Sequence, residues 1–145
     1  MSYSILLLLG VFWISTSSAF EDLPIVQQQF RYFEKFIQIK DWGLVTEFLD
    51  PDFRIQTECG GKFLDRKEFI DTVMNLPSNS SFHAEVLKIE GNAFSVPKDF
   101  YRCTDTIRLA VKVYGFGDPV VVHGNYIIPD FHKTRMWRGG KVEEC

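Results

Sequence analysis

Residues 100–114, FYRCTDTIRLAVKVY, alternate between polar and apolar side chains over most of their length. The even-numbered positions are mostly polar and include Arg102, Arg108 and Lys112, whereas the odd-numbered positions are aliphatic from Ile107 to the end of the stretch. Successive side chains of a strand point to opposite faces of a sheet. The alternation therefore predicts a long β-strand with one buried face.

Further strands are predicted on both sides of this stretch. A turn at residues 115–118 separates it from a strand over residues 120–128, and a last strand begins near His132. Before it, the apolar face of the segment that starts at Phe82 changes phase between Val86 and Leu87, which predicts a bulge that returns both residues to the core side. Residues 53–58 and 62–64 predict a hairpin around Cys59.

Helical patterns occupy the region before these strands. Apolar residues recur at spacings of 3 and 4 from Leu23 to Ile37, which predicts an amphipathic helix. Asp41 is placed to cap a second helix over residues 42–49, and Asp65 with Glu68 forms a capping box for a third. We therefore predict an α+β fold, in which a cone-shaped, curved antiparallel sheet packs on three N-terminal helices.

The composition is that of one folded domain. The chain has 145 residues, of which 46% are hydrophobic and 24% charged, and its formal net charge is -3. This excludes a disordered tail and a multidomain chain. The slightly acidic balance argues against a nucleic-acid partner, which would require a clustered basic surface.

The first residues have the pattern of a secretory signal peptide. An apolar run, residues 5–14, is too short to span a bilayer, and the small residues up to Ala19 suit cleavage before Phe20. An uncleaved anchor is the alternative. We therefore predict a signal peptide over residues 1–19, a single domain over residues 20–145, a secreted protein and no membrane association after cleavage. In an oxidising compartment a disulfide is expected, and Asn79 of the sequon Asn79-Ser80-Ser81 becomes a glycosylation site.

Three short motifs carry a resemblance to a known family. They are residues 48–53 (FLDPDF), the turn CGGK at residues 59–62, and the ending WRGGKVEEC at residues 137–145. With the order of elements, they resemble the nuclear transport factor 2-like superfamily, and more specifically its secreted nematode members. The resemblance implies a curved sheet and three helices around a conical cavity. It implies no particular chemistry, because the superfamily includes isomerases, dehydratases and members without known activity.

The same resemblance implies a disulfide and a homodimer. In that fold the first and last strands lie side by side and run in the same direction, so that Cys59 and Cys145 are neighbours. A Cys59–Cys145 bridge would leave Cys103 as a buried thiol, and Cys59–Cys103 is the rival pairing. Superfamily members often dimerise through the outer face of the sheet.

One residue breaks the apolar pattern of the long strand. Asp105 shares the buried face with Ile107, where an unpaired carboxylate would be costly. It is either paired with a cation at the rim of the sheet or is an acid lining the cavity. In the second case Asp105 and His123 are candidates for an acid–base pair, with Tyr32 or Tyr101 as the hydroxyl donor, which is the equipment of a small lyase or isomerase.

The first helix and the sheet also supply candidates for an apolar pocket, although the same side chains suit a packed core equally well. The sequence predicts neither a metal site nor a cofactor, because it has no cluster of Cys and His with ligand spacing. It favours a non-catalytic domain that binds a small apolar ligand or a protein partner, with the lyase or isomerase as the alternative. The pocket candidates are Phe33, Phe36, Ile55, Cys103, Asp105 and Ile107.

Overall fold

The structure, a computed structural model, describes residues 23–77, 81–92, 105–128 and 135–143. Three helices and six strands follow one another in the predicted order, which confirms the α+β class. The elements are α1 (Leu23–Gln38), α2 (Trp42–Phe48), β1 (Leu49–Gln56), β2 (Phe63–Asp65), α3 (Arg66–Met74), β3 (His83–Asn92), β4 (Asp105–Tyr114), β5 (Val120–Ile128) and β6 (Met136–Val142).

The six strands form one sheet in the order β2-β1-β6-β5-β4-β3. All neighbouring strands are antiparallel except β1 and β6, which run parallel. The prediction of an antiparallel sheet is corrected in this one respect, since the sheet is mixed. The parallel pair is the arrangement that the family resemblance implied for the first and last strands.

The core lies between α1 and the inner face of the sheet. Ile107, Leu109 and Val111 of β4 are at most 1% exposed, as their alternation predicted. Phe30 and Phe33 of α1 are equally buried and belong to the same cluster. The helix therefore covers the apolar face of the central strands and keeps it from water.

The bulge predicted in β3 is present, but one of its predicted consequences is wrong. The register between β3 and β4 shifts between Val86 and Lys88, so Leu87 has no partner in the ladder. Val86 is buried and Ile89 packs against the core, whereas Leu87 is the bulged residue and remains exposed. A bulge restores the phase of the residues that follow it, not that of the inserted residue itself.

Two side chains of α1 form hydrogen bonds with backbone groups at the free edge of the sheet. The edge strand β3 receives a hydrogen bond from Gln27 Nε2 at the carbonyl of Val86 (3.0 Å). The backbone N–H of Ala84 donates to Glu34 Oε1 (2.6 Å), an oxygen that also lies 2.6 Å from His83 Nδ1. The helix thus takes the place of a further strand and blocks pairing with another chain at this point.

Glycines allow β5 and β6 to approach each other where the register shifts. A Cβ atom at Gly124 would lie 1.9 Å from the carbonyl oxygen of Gly139. Gly139 itself has a φ of +80°, which L side chains rarely adopt. The glycine pair of the WRGGK segment is therefore required by close backbone contact in the sheet.

Candidate functional site

Among the described residues, aromatic side chains pack together in the space between the helices and the sheet. Phe33 stacks on Phe48 with ring centroids 4.5 Å apart, and Phe30 packs edge-on against Trp137 at 5.1 Å. Such offset and edge-to-face contacts stabilise beyond the area that they bury. The rings form a continuous network with centroid separations of 4.5–6.5 Å. Its members are Phe30, Phe33, Phe48, Phe53, Phe69, Phe82, Phe116, Tyr126 and Trp137.

Several of the predicted pocket residues belong to this packed interior. Phe33, Ile55 and Ile107 are at most 1% exposed and are members of the core cluster, and Phe36 packs against it from the side. Cys103 and the side chain of Asp105 lie outside the described residues. Where the structure describes the predicted pocket lining, it is part of the core.

The indole nitrogen of Trp137 has no hydrogen-bond partner among the described residues. The indole Nε1 of Trp137 is buried, and Trp137 as a whole is 0% exposed. A buried N–H group without an acceptor costs free energy comparable to a lost hydrogen bond. This indole N–H is therefore a donor, surrounded by aromatic rings, for any acceptor that could reach it.

The structure does not bring Asp105 and His123 together. In the register of β4 and β5, Asp105 lies opposite Ile128, whereas His123 lies opposite Ala110. Ala110 is five positions further along β4 than Asp105, which is roughly 17 Å along a strand. This distance exceeds the reach of an aspartate and a histidine side chain. The cation at the sheet rim that was the alternative partner of Asp105 stays a prediction.

His123 lies instead on the outer face of the sheet, away from the helices. Its Nδ1 is 2.5 Å from Glu90 Oε1, and its Nε2 is 3.0 Å from Glu143 Oε2. The side chain is only 10% exposed. Both ring nitrogens thus contact carboxylates, so His123 on β5 links to Glu90 on β3, across the intervening β4, and to Glu143 just after β6.

Two cations complete this outer-face cluster. Arg108 Nε lies 3.9 Å from Glu90 Oε1, and Lys88 Nζ lies 4.0 Å from Glu90 Oε2. Both basic side chains are more than half exposed, so these contacts contribute little stability individually. Sequence reasoning missed Glu90 and Glu143 because a bulge and a strand end decide where they point.

The hydroxyl donors that the sequence suggested are not placed for chemistry in the interior. Tyr32 is 47% exposed on α1, and its hydroxyl accepts a hydrogen bond from Gln28 Nε2 at 3.1 Å. Tyr101 lies outside the described residues. Within the described ranges, no group of three His, Cys, Asp or Glu side chains is arranged to hold a metal ion.

The residues predicted to be modified fall mainly outside the described ranges. Asn79 and Cys145 are not described, and Cys59 lies in the turn after β1. The strand that precedes Cys59, β1, runs parallel to β6, the strand that precedes Cys145 in the sequence. Of the helices that the structure describes, none combines the length and the apolar character needed to cross a bilayer.

Comparison with known proteins assigns the fold to a family. No curated protein sequence matches the chain. Among solved structures, the chain is similar to the beta subunit of benzoate 1,2-dioxygenase from Burkholderia mallei, with 13% identity and a TM-score of 0.44 over 85% of this chain and 90% of that one. The family model described as NTF2-like domain matches residues 24–145. The chain therefore belongs to the NTF2-like domain family.

Proposed function

We propose that this protein is exported and non-catalytic, and that it acts by binding other polypeptide chains, in the first place a second copy of itself. The observation that carries this proposal is the aromatic packing between α1 and the sheet, in which described neighbouring rings have centroids 4.5–6.5 Å apart. When its own side chains occupy the interior of a domain, the domain binds other molecules through its outer surface.

The proposal that the domain is non-catalytic is supported by the separation of the candidate groups. Asp105 and His123 lie five residues apart in the strand register, and both nitrogens of His123 contact carboxylates. An acid–base mechanism requires the two groups within hydrogen-bond reach of one substrate. The described residues offer no such arrangement.

The outer face of the sheet is the proposed contact between two copies. It carries both signs of charge on neighbouring strands, with Arg108 and Lys141 exposed beside Glu90 and Glu143. A two-fold axis can bring opposite charges of two copies together on such a face. Domains of this fold commonly form dimers.

Export is supported by three features of the chain. The apolar run at residues 5–14 and the small residues after it have the pattern of a signal peptide. The parallel pairing of β1 with β6 favours a Cys59–Cys145 bridge, which would persist only in an oxidising compartment. The sequon at Asn79 would be glycosylated along the same secretory route.

A second candidate function is the binding of a small apolar ligand. The observation in its favour is the buried Nε1 of Trp137, which has no acceptor among the described side chains and backbone groups. A ligand with one carbonyl or ether oxygen and an otherwise apolar body would satisfy it. Such a ligand would have to displace aromatic contacts of Phe30 or Phe53 with Trp137.

Native mass spectrometry of the protein secreted by eukaryotic cells tests the proposal. We expect a dimer whose mass equals that of two mature, glycosylated chains. Arg108→Glu combined with Lys141→Glu is expected to shift the dimer to monomer, whereas the control Lys62→Glu with Lys67→Glu, outside that face, should leave it unchanged. A retained small molecule would favour the second candidate, and a monomeric wild-type protein would refute the homodimer.

A further inference from the structure

A second apolar stripe runs along α1 on the side that does not face the core. Ile25, Tyr32 and Ile39 are 41%, 47% and 61% exposed. They are spaced by seven residues, so they lie almost in line along the helix and the turn that continues it. Phe36 falls in the same stripe and is half-buried. Half-exposed large apolar side chains in a row mark a contact surface more often than scattered ones do.

Among the described residues from Leu23 to Lys40, the exposed charged side chains are basic, and Asp41, which follows them, caps α2 by accepting from the Leu44 N–H. Arg31 and Lys35 are exposed on α1, and Lys40 follows Ile39 directly. The only acid in α1 is Glu34, which turns towards β3 and accepts the hydrogen bond from Ala84. The exposed side of α1 is therefore both apolar and cationic, although the chain as a whole has a net charge of -3.

The backbone at the end of α1 keeps one of these cations in an unfavourable conformation. Lys40 has a φ of 60°, the left-handed region that glycine favours. It occupies the C′ position of a Schellman motif, in which Lys40 N–H donates to the Ile37 carbonyl and Asp41 N–H donates to the Phe36 carbonyl. A glycine would close this turn at lower cost.

We propose that this face of α1 binds reversibly to a lipid surface with anionic headgroups. Aliphatic side chains, a tyrosine and flanking Lys or Arg form the combination that holds a helix in the plane of a membrane interface. The long stems of Arg31 and Lys35 allow their charged ends to reach headgroups while Ile25 and Ile39 contact the acyl boundary. A fluid lipid surface accepts a single protruding stripe, whereas a protein partner would need a matching groove.

A second copy of this chain fits the stripe less well. It would bring its own Arg31 and Lys35 to the same contact, which repel those of the first copy. The proposed contact is also on the opposite side of the sheet from the outer face, so both can be occupied at once. This proposal departs from the sequence-based expectation of no membrane association.

Sedimentation with lipid vesicles tests this proposal on the full mature chain. We expect binding to vesicles of phosphatidylcholine mixed with phosphatidylserine, little binding to phosphatidylcholine alone, and release by high salt. Arg31→Glu with Lys35→Glu should lower the partition coefficient more than about tenfold, since each cation near such a surface contributes about fivefold. Tyr32→Ser with Ile39→Ser should also weaken binding.

Matched controls separate this face from general effects of charge and polarity. Lys62→Glu with Lys67→Glu makes the same change in net charge elsewhere, and Leu87→Ser removes an exposed apolar side chain at the β3 bulge. Both should bind as the wild type does. Failure of the wild type to bind the mixed vesicles, or equal loss in the controls, would refute the proposal. Conversion of a dimer to monomer by Tyr32→Ser with Ile39→Ser would show that a second copy occupies the stripe, and would also refute it.

Discussion

The side chain of Gln56 links the end of β1 to the end of β6. Its Oε1 accepts a hydrogen bond from the backbone N–H of Val142 at 2.9 Å, and its Nε2 donates to the carbonyl of Gly61 at 2.8 Å. Gln56 is 7% exposed, so both partners are shielded from water. One buried amide therefore fixes the turn after β1 and the last residue of the sheet relative to each other.

Replacing this amide should destabilise the fold. Gln56→Ala leaves the Val142 N–H and the Gly61 carbonyl without their partner, and we expect the free energy of unfolding to fall by about 2 kcal/mol. Urea unfolding followed by circular dichroism measures this. The control Gln28→Ala removes an exposed amide on α1 and should cost less than about 0.5 kcal/mol. Equal losses in the two variants would show that Gln56 is not a link between the strands.

The link between Gln56 and Val142 is relevant to the predicted disulfide between Cys59 and Cys145. Cys59 lies three residues after Gln56 in the sequence. Cys145 lies three residues after Val142, whose backbone N–H is hydrogen-bonded to the Gln56 side chain. Peptide mapping under non-reducing conditions is expected to recover Cys59 linked to Cys145 and Cys103 as a thiol. Closing the 86-residue separation should stabilise by about 4 kcal/mol in the chain-entropy account. Recovery of Cys103 in the linked pair would contradict the prediction.

Much of the fold could be predicted from local patterns. The apolar spacing of α1 and the alternation of β4 each depend on one element and one face, so sequence reveals them directly. Asp65 and Glu68 do form the predicted capping box at the start of α3, with reciprocal hydrogen bonds of 2.8 and 3.1 Å. The parallel pairing of β1 with β6 is not a local property, and only the family resemblance implied it.

The candidate site was harder to predict because it depends on register. The turn at residues 115–118 sets Val113 opposite Val120, and counting back from this pair places Asp105 opposite Ile128. Applied to the sequence, this count would have separated Asp105 from His123. The carboxylates around His123 could not be found in that way, because a bulge in β3 sets the position of Glu90 and Glu143 follows the end of β6.

The glycine contact between β5 and β6 gives a further test. Gly124→Ala would place a Cβ atom against the Gly139 carbonyl and the Gly140 Cα, both of them backbone. Since backbone must move, we expect a loss of about 3 kcal/mol in the free energy of unfolding. Gly43→Ala in α2 meets only Asp41 Oδ1 at 3.6 Å and should stabilise by up to about 1 kcal/mol through helix propensity. Thermal and urea unfolding of both variants should therefore shift in opposite directions.

Replacing Lys40 is expected to change the stability of the fold and the binding of lipid vesicles in opposite directions. Lys40→Gly relieves the left-handed conformation and should raise the free energy of unfolding by about 1 kcal/mol. It also removes one of the three cations beside the exposed stripe of α1, so binding to anionic vesicles should weaken several-fold. A variant that is more stable and binds as tightly as the wild type would show that Lys40 takes no part in the contact.

The most direct test of the packed interior is a high-resolution crystal structure of the protein purified from a secreting cell, without added ligand. We expect Phe33 stacked on Phe48, Phe30 edge-on to Trp137, and no density beside the indole Nε1 of Trp137 other than protein or a single water. A small molecule that accepts a hydrogen bond from that nitrogen and separates those rings would contradict the proposal that this domain works through its surface.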